Sequence, residues 1–219
     1  TLNNPWPDQT SRSPKYWDAL RHAAAEAHRL GLEIGLHNTV GYSTTGGPWI
    51  DEEKNMRHLV SKSVTVDGGK RVSIEIPRPD PTVYRGWGNS GIAFNDFTDI
   101  AVLAVPASGD IDPAKTIDLT SSFKDNRLDW DAPAGKWQIG RFCHAPTGAS
   151  PHPVPDEIIG KTLEVDKLSL EQNRFHWDSV IEPMKQHLGA YLGKSFRHFL
   201  IDSYEAGKQN WTPAFREEF

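Results

Sequence analysis

The sequence predicts an α/β protein: a segment of a (β/α)8 barrel, incomplete, with a β-rich insertion. Two observations support this. Apolar residues recur at helical spacing over 14–30 and again after Ser169, whereas between about 61 and 150 they alternate at period two. Short apolar segments at 32–36, 162–165 and 196–201 run into polar residues at their carboxyl ends, which is where a barrel places its site. The organisation expected is a first part of the barrel over 1–60, an insertion and linker over 61–161, and a continuation over 162–219. Two and a half βα units cannot close a barrel, so the remainder is expected after residue 219.

Each element has a local reason. Ser13 before Pro14 is an N-cap with proline at the first helical position, and Gly31 suits the left-handed residue that ends a helix. Between them Tyr16, Leu20, Ala23, Ala24, Ala27 and Leu30 make one apolar face. Leu32–Leu36 reads as a short buried strand ending at His37-Asn38. A glycine-rich loop, Thr39–Pro48, follows. Acids at Asp51, Glu52 and Glu53 suggest a second helix from Asp51 to about Val60, because the helix dipole favours them there.

From Ser61 the pattern changes. Ser63–Val66 and Val72–Ile76 flank Gly68-Gly69 as the two arms of a hairpin would. Asp99–Val105 and Lys136–Cys143 are further strands, and 147–161 has the Pro/Gly composition of a linker. Thr162–Val165 is a short strand ending at Asp166. Ser169 with Gln172 resembles a capping box opening a long helix, which Pro183 should kink or split. Phe196–Ile201 is an apolar strand ending in Asp202-Ser203-Tyr204-Glu205, and Ala214–Phe219 begins another helix.

Composition narrows the function classes. The chain has 219 residues with 24 Lys+Arg against 29 Asp+Glu, a net charge of −5, so it lacks the cationic footprint of a nucleic-acid binder. No run approaches the roughly 18 apolar residues of a membrane-spanning helix. Cys143 is the only cysteine, which excludes an intrachain disulfide and a cysteine zinc cluster. The nine histidines show no metal-binding spacing. A bacterial periplasmic or extracellular setting is expected, with the cytoplasm left open. Eight tryptophans are an excess that suits carbohydrate contact, since indole faces stack on pyranose rings; part of them serve as large core residues.

Three groups of residues can carry chemistry. Asp202 and Glu205 lie three residues apart at a strand end. Neighbouring carboxylates raise one another's pKa, so one can stay protonated and act as a general acid; read alone, Asp202 serves equally as a turn cap and Glu205 as a solvated acid. The loop after His37 and Asn38, with Tyr42, Gly46, Gly47 and Trp49, suits a sugar better than a nucleotide, because no phosphate-loop pattern is present; a purely structural loop is the other reading. Asp166 ends its strand facing a barrel's site, or else pairs with Lys167 at the surface. Trp211 is a further aromatic platform.

Three segments in order carry a resemblance: Gly31 to Trp49 (GLEIGLHNTVGYSTTGGPW), Leu163 to Ser169 (LEVDKLS) and Asp202 to Pro213 (DSYEAGKQNWTP). They are similar to the catalytic region of glycoside hydrolase family 106, the α-L-rhamnosidases. The resemblance implies a (β/α)8 catalytic domain, inversion at the anomeric carbon and dependence on calcium, with no metal ligand assigned here. It implies that Glu205 is the general acid and that Asp202 binds a sugar hydroxyl or tunes the acid. It implies that the general base lies on a later strand, past residue 219. Two positions depart from the family's pattern: Tyr204 stands where Trp is frequent, and His37 where Asn or Arg is frequent. The expected partners are a rhamnose-containing glycan or glycoside and the remainder of the parent polypeptide. A non-catalytic carbohydrate-binding module and an inactive fragment are the competing readings.

Overall fold

The computed structural model describes residues 13–37, 46–79, 96–151, 161–200 and 209–218. In chain order the elements are α1 (Pro14–Leu30), β1 (Ile34–His37), β2 (Gly46–Gly47), β3 (Arg57–Asp67), β4 (Lys70–Glu75), β5 (Thr98–Pro106) and β6 (Ile117–Asp118). They continue with β7 (Phe123–Lys124), β8 (Arg127–Ala132), β9 (Lys136–Pro146), β10 (Leu163–Glu164), α2 (Leu170–Leu188), β11 (Phe196–Leu200) and α3 (Phe215–Glu218).

Helix α1 starts and stops where its sequence dictates. The Ser13 hydroxyl accepts from the Tyr16 amide at 3.2 Å, and Gly31 turns out of the helix at φ +70°. Trp17, Leu20 and Ala24 pack with Met184 and Leu188 of α2, Leu36 of β1 and Phe196 of β11. Trp17 also stacks on His187, with ring centroids 4.5 Å apart. Beneath these helices β1 pairs in parallel with β11, His37 opposite Leu200. Strands β1 and β11 therefore share one sheet, and with α1 and α2 one core.

The strand-rich middle is two antiparallel sheets, ordered β3-β9-β5-β6 and β4-β8-β7. Val102, Ala104 and Ile139 from the first share a core with Ile76 and Leu128 from the second. Arg141 links the two. Its guanidinium is bidentate to Asp99 at 2.7 and 2.8 Å and donates to the Ile76 carbonyl and Asn126 Oδ1, each at 2.8 Å.

Three expectations are corrected. Asp51–Val60 is not a helix: the Asp51 carboxylate accepts from the Lys54 amide at 3.1 Å, closing a turn, and β3 begins at Arg57. The arms around Gly68-Gly69 do not pair with each other; β3 joins β9 and β4 joins β8, so the turn passes the chain between sheets. A Cβ on Gly68 would lie 1.9 Å from the Pro133 carbonyl oxygen, so that passage requires glycine. Helix α2 runs as one element through Pro183, its start fixed by Ser169 Oγ accepting from the Gln172 amide at 3.3 Å. Taken together, the described residues form a mixed, strand-rich α/β fold. The parallel sheet is two strands wide, and β10 pairs antiparallel with β2 instead of joining it.

Candidate functional site

The carboxyl end of β11 leads directly toward Asp202 and Glu205. These two residues, with Asn38, Tyr42 and the side chain of His37, lie outside the described residues; the backbone of His37 ends β1. Of the sequence-predicted site residues, the structure describes Trp49, Asp166 and Trp211 with the polar residues around them.

Asp166 is 1 % exposed. Its Oδ2 accepts from the Thr212 hydroxyl at 2.8 Å, and its Oδ1 accepts from the Leu168 amide at 3.0 Å and from the Gln209 side-chain amide. Gln209 Oε1 in turn accepts from the Lys167 amide at 3.1 Å. The Asp166–Lys167 surface pair does not form: Lys167 reaches back to Glu164, which is fully buried. Asp166 therefore joins the β10 end to residues 209–212.

The same stretch is fixed to the edge of β3. The Arg57 carbonyl accepts from the amides of Asn210 at 3.2 Å and Trp211 at 3.3 Å, while Asn210 Oδ1 accepts from the Leu59 amide at 2.7 Å. Trp211 stacks on His144 at 6.3 Å between ring centroids and meets Phe215 edge-on at 5.8 Å. His144 Nδ1 accepts from Arg57 Nε at 2.6 Å, and Arg57 Nη1 donates to Asp96 Oδ2 at 2.8 Å. Burial, followed by the charge of Arg57, depresses the His144 pKa to about 4. His144 is accordingly a neutral acceptor at neutral pH. Among the described residues, buried Arg57 Nη2 and Trp211 Nε1 have no hydrogen-bond partner.

Trp49 is half-buried. Its indole N–H donates to His176 Nδ1 at 3.0 Å, and the ring packs on Ile50, Leu163 and Val165. The nearby glycines have packing reasons: a Cβ on Gly46 would lie 2.0 Å from the Leu163 carbonyl oxygen, and one on Gly47 2.4 Å from the Trp49 ring. Both Trp49 and Trp211 thus spend part of their surface on the protein itself.

The structure brings Asp166 and Trp211 together through Gln209 and Thr212. Asn55, Arg57, His144, Gln209 and Thr212 were not among the sequence-predicted site residues. Asn55, fully buried, donates to the Glu164 carbonyl at 2.7 Å and accepts from the Gly148 amide at 3.0 Å, tying 147–149 to β10. Position was the available signal for Gln209 and Thr212, since both lie just after the Asp202–Glu205 pair. Cys143 offers no nucleophile, because burial and the Asp99 carboxylate raise its thiol to about 12.

For calcium the described residues make a poor fit. No group of three or more His, Cys, Asp or Glu among them could hold a metal ion. The buried Asp166 carboxylate faces N–H and O–H donors, the surroundings of an anion already satisfied. No helix among the described residues is long and apolar enough to cross a membrane.

The family model described as alpha-L-rhamnosidase, glycoside hydrolase family 106, matches residues 9–87 and 87–219. A Formosa agariphila protein provisionally named beta-glucuronidase is 34 % identical over 240 residues, covering 94 % of this chain and 20 % of that protein. The structure of a rhamnosidase from Novosphingobium sp. PP1Y superposes with a TM-score of 0.73 at 20 % identity, covering 93 % of this chain and 34 % of that one. This chain therefore spans about a fifth of the first relative's length and a third of the second's, and the structural likeness concerns the fold. With nearly its whole length matched by the family model, the chain belongs to glycoside hydrolase family 106.

Proposed function

We propose that this chain is part of an inverting α-L-rhamnosidase in which Glu205 is the general acid. The observation that carries the reading is the placement of the Asp202–Glu205 pair. It follows the carboxyl end of β11, the strand paired in parallel with β1, and precedes residues 209–212, which are bonded to Asp166 and β3. Family membership supports the enzyme over a binding module, which needs no protonated acid.

In the proposed reaction the Glu205 carboxyl donates its proton to the glycosidic oxygen as the bond to the anomeric carbon breaks. A water attacks that carbon from the opposite face and loses its proton to a second carboxylate, yielding free sugar of inverted configuration and the aglycone alcohol. No residue of this chain is assigned to that second carboxylate. Asp202 sits close enough in sequence to raise the Glu205 pKa by like-charge repulsion, or to bind a sugar hydroxyl. His37, Asn38, Tyr42, Trp49 and Trp211 are proposed to line the sugar site. A bacterial periplasmic or extracellular location, where glycans are met, belongs to the same proposal.

The 34 % identical relative motivates a second reading, hydrolysis of a glucuronide.

Replacing Glu205 with Gln tests the proposal in the enzyme that carries this chain. The variant should still bind substrate. Turnover of an alkyl rhamnoside, whose leaving group needs a proton, should fall about 10²–10⁴-fold, the usual contribution of a general acid. An activated aryl rhamnoside should lose far less, because its phenolate departs unaided. Equal losses on both would show that Glu205 is not the acid.

A further inference from the structure

Helix α2 buries His176, Met184 and Leu188, and the polar one of these, His176, is 2 % exposed. A buried imidazole is costly unless its nitrogens are bonded. Here Nδ1 accepts from the Trp49 indole N–H at 3.0 Å. An imidazole that accepts at Nδ1 is neutral and carries its proton on Nε2. The indole has one hydrogen-bonding group, its N–H, and that group is spent on His176.

The acceptor stands on a rigid support. The start of α2 is fixed by Ser169 and by the Asn173 side chain, which donates to the carbonyls of Asp166 at 3.1 Å and Ser169 at 2.7 Å. Its far end, through Met184 and Leu188, lies in the core shared with α1. Trp49 follows β2 in a turn closed by the Ile50 amide on the Gly47 carbonyl at 3.0 Å. Ile50, Leu163 and Val165 give its ring apolar contact. Gly47 gives it a seat, since a Cβ there would lie 2.4, 2.6 and 2.7 Å from three ring atoms. The indole and imidazole planes differ by 30° with centroids 5.7 Å apart, so the two rings meet edge to edge and the indole faces stay clear of His176. Apolar contacts resist withdrawal of the ring more than its rotation. The bond from Nε1 to an acceptor on a fixed helix sets that rotation.

We propose that His176 is the positioning residue for Trp49, holding the half-buried indole in the plane on which the sugar stacks. This rests on the assignment of Trp49 to the sugar site made above. Contacts to an aromatic ring depend on its orientation, so an indole that can turn should lose sugar binding before the chemical step suffers.

Variants at His176 separate positioning from packing. His176→Phe keeps a ring and removes the acceptor. In His176→Asn the amide oxygen reaches the place of Nδ1, whereas in His176→Gln it extends toward the place of Nε2. Steady-state kinetics on an aryl α-L-rhamnoside, in the enzyme carrying this chain, give the readout. His176→Phe should raise KM about 3–10-fold, the range of a lost aromatic contact, with kcat nearly unchanged. His176→Asn should return KM toward the native value, and His176→Gln should not. Trp49→Ala should raise KM by itself, and His176→Phe added to it should change nothing further, because the two residues act as one unit. A merely structural His176 would reduce the amount of active enzyme, lowering kcat at constant KM, which overturns the proposal. Should His176→Phe fail to fold, the Asn and Gln variants decide by the same criterion. If Trp49→Ala raises KM and no His176 variant does, the positioning role alone is wrong. If Trp49→Ala leaves KM unchanged, the assignment of Trp49 to the sugar site falls and the positioning role with it.

Discussion

His144 and Gly46 show how single residues set the conditions around the site. His144 titrates at about 4 when folded, against about 6.5 for an unperturbed imidazole. Between those values the unfolded chain binds more protons, so stability falls as the pH falls from about 6.5 to about 4. Linkage puts the loss at about 2–3 kcal/mol across that window. Burial and Arg57 lower the His58 pKa as well, which adds to the loss in the same direction. Urea unfolding measured from pH 7 to 4 should show this slope, and His144→Gln, which keeps an acceptor for Arg57 but does not titrate, should flatten it. Gly46 makes a steric prediction. Because its Cβ would collide with the Leu163 carbonyl, Gly46→Ala should lower the unfolding free energy by at least about 1–3 kcal/mol, read from the urea midpoint. Gly46 and its neighbour Gly47 are thus required by the packing of β10 and the Trp49 ring.

At the scale of elements, signals that act within one turn were legible and those that act through partners were not. Helix α1 is the clearest case, since Ser13, Pro14 and Gly31 each do locally what their residue type favours. Ser13→Ala should cost about 1 kcal/mol, measurable as a lower thermal midpoint. The run Asp51–Val60 misled because acids in a first turn look the same whether the chain continues as helix or stops after one turn. The decision came from Arg57 onward, where Val60, Val64 and Val66 find β9 as a partner. Gly68-Gly69 misled for a related reason. Two alternating segments around a glycine turn predict a hairpin, and only the distant strands β8 and β9 reveal that each arm pairs elsewhere. Asp166 was recognised by its place at a strand end, but its partners Gln209 and Thr212 lie more than forty residues away and have no pattern that announces them. Buried Arg141 escaped notice because a polar residue in an alternating strand usually faces water, and Asn55 and Arg57 because they fell in the run read as a helix.

For the whole molecule, the account joins two blocks distant in sequence through one parallel strand pair and one polar anchor, with a two-sheet β layer between them in the chain. The family match over 9–219 places this arrangement in glycoside hydrolase family 106. It leaves the sugar and the stereochemical course to experiment. A proton NMR time course of an aryl α-L-rhamnoside, incubated with the enzyme that carries this chain, addresses both at once. The account predicts that β-L-rhamnose appears first and that the α anomer grows in only by mutarotation. Initial release of α-L-rhamnose, or no cleavage of the rhamnoside while an aryl β-glucuronide is hydrolysed, would contradict it.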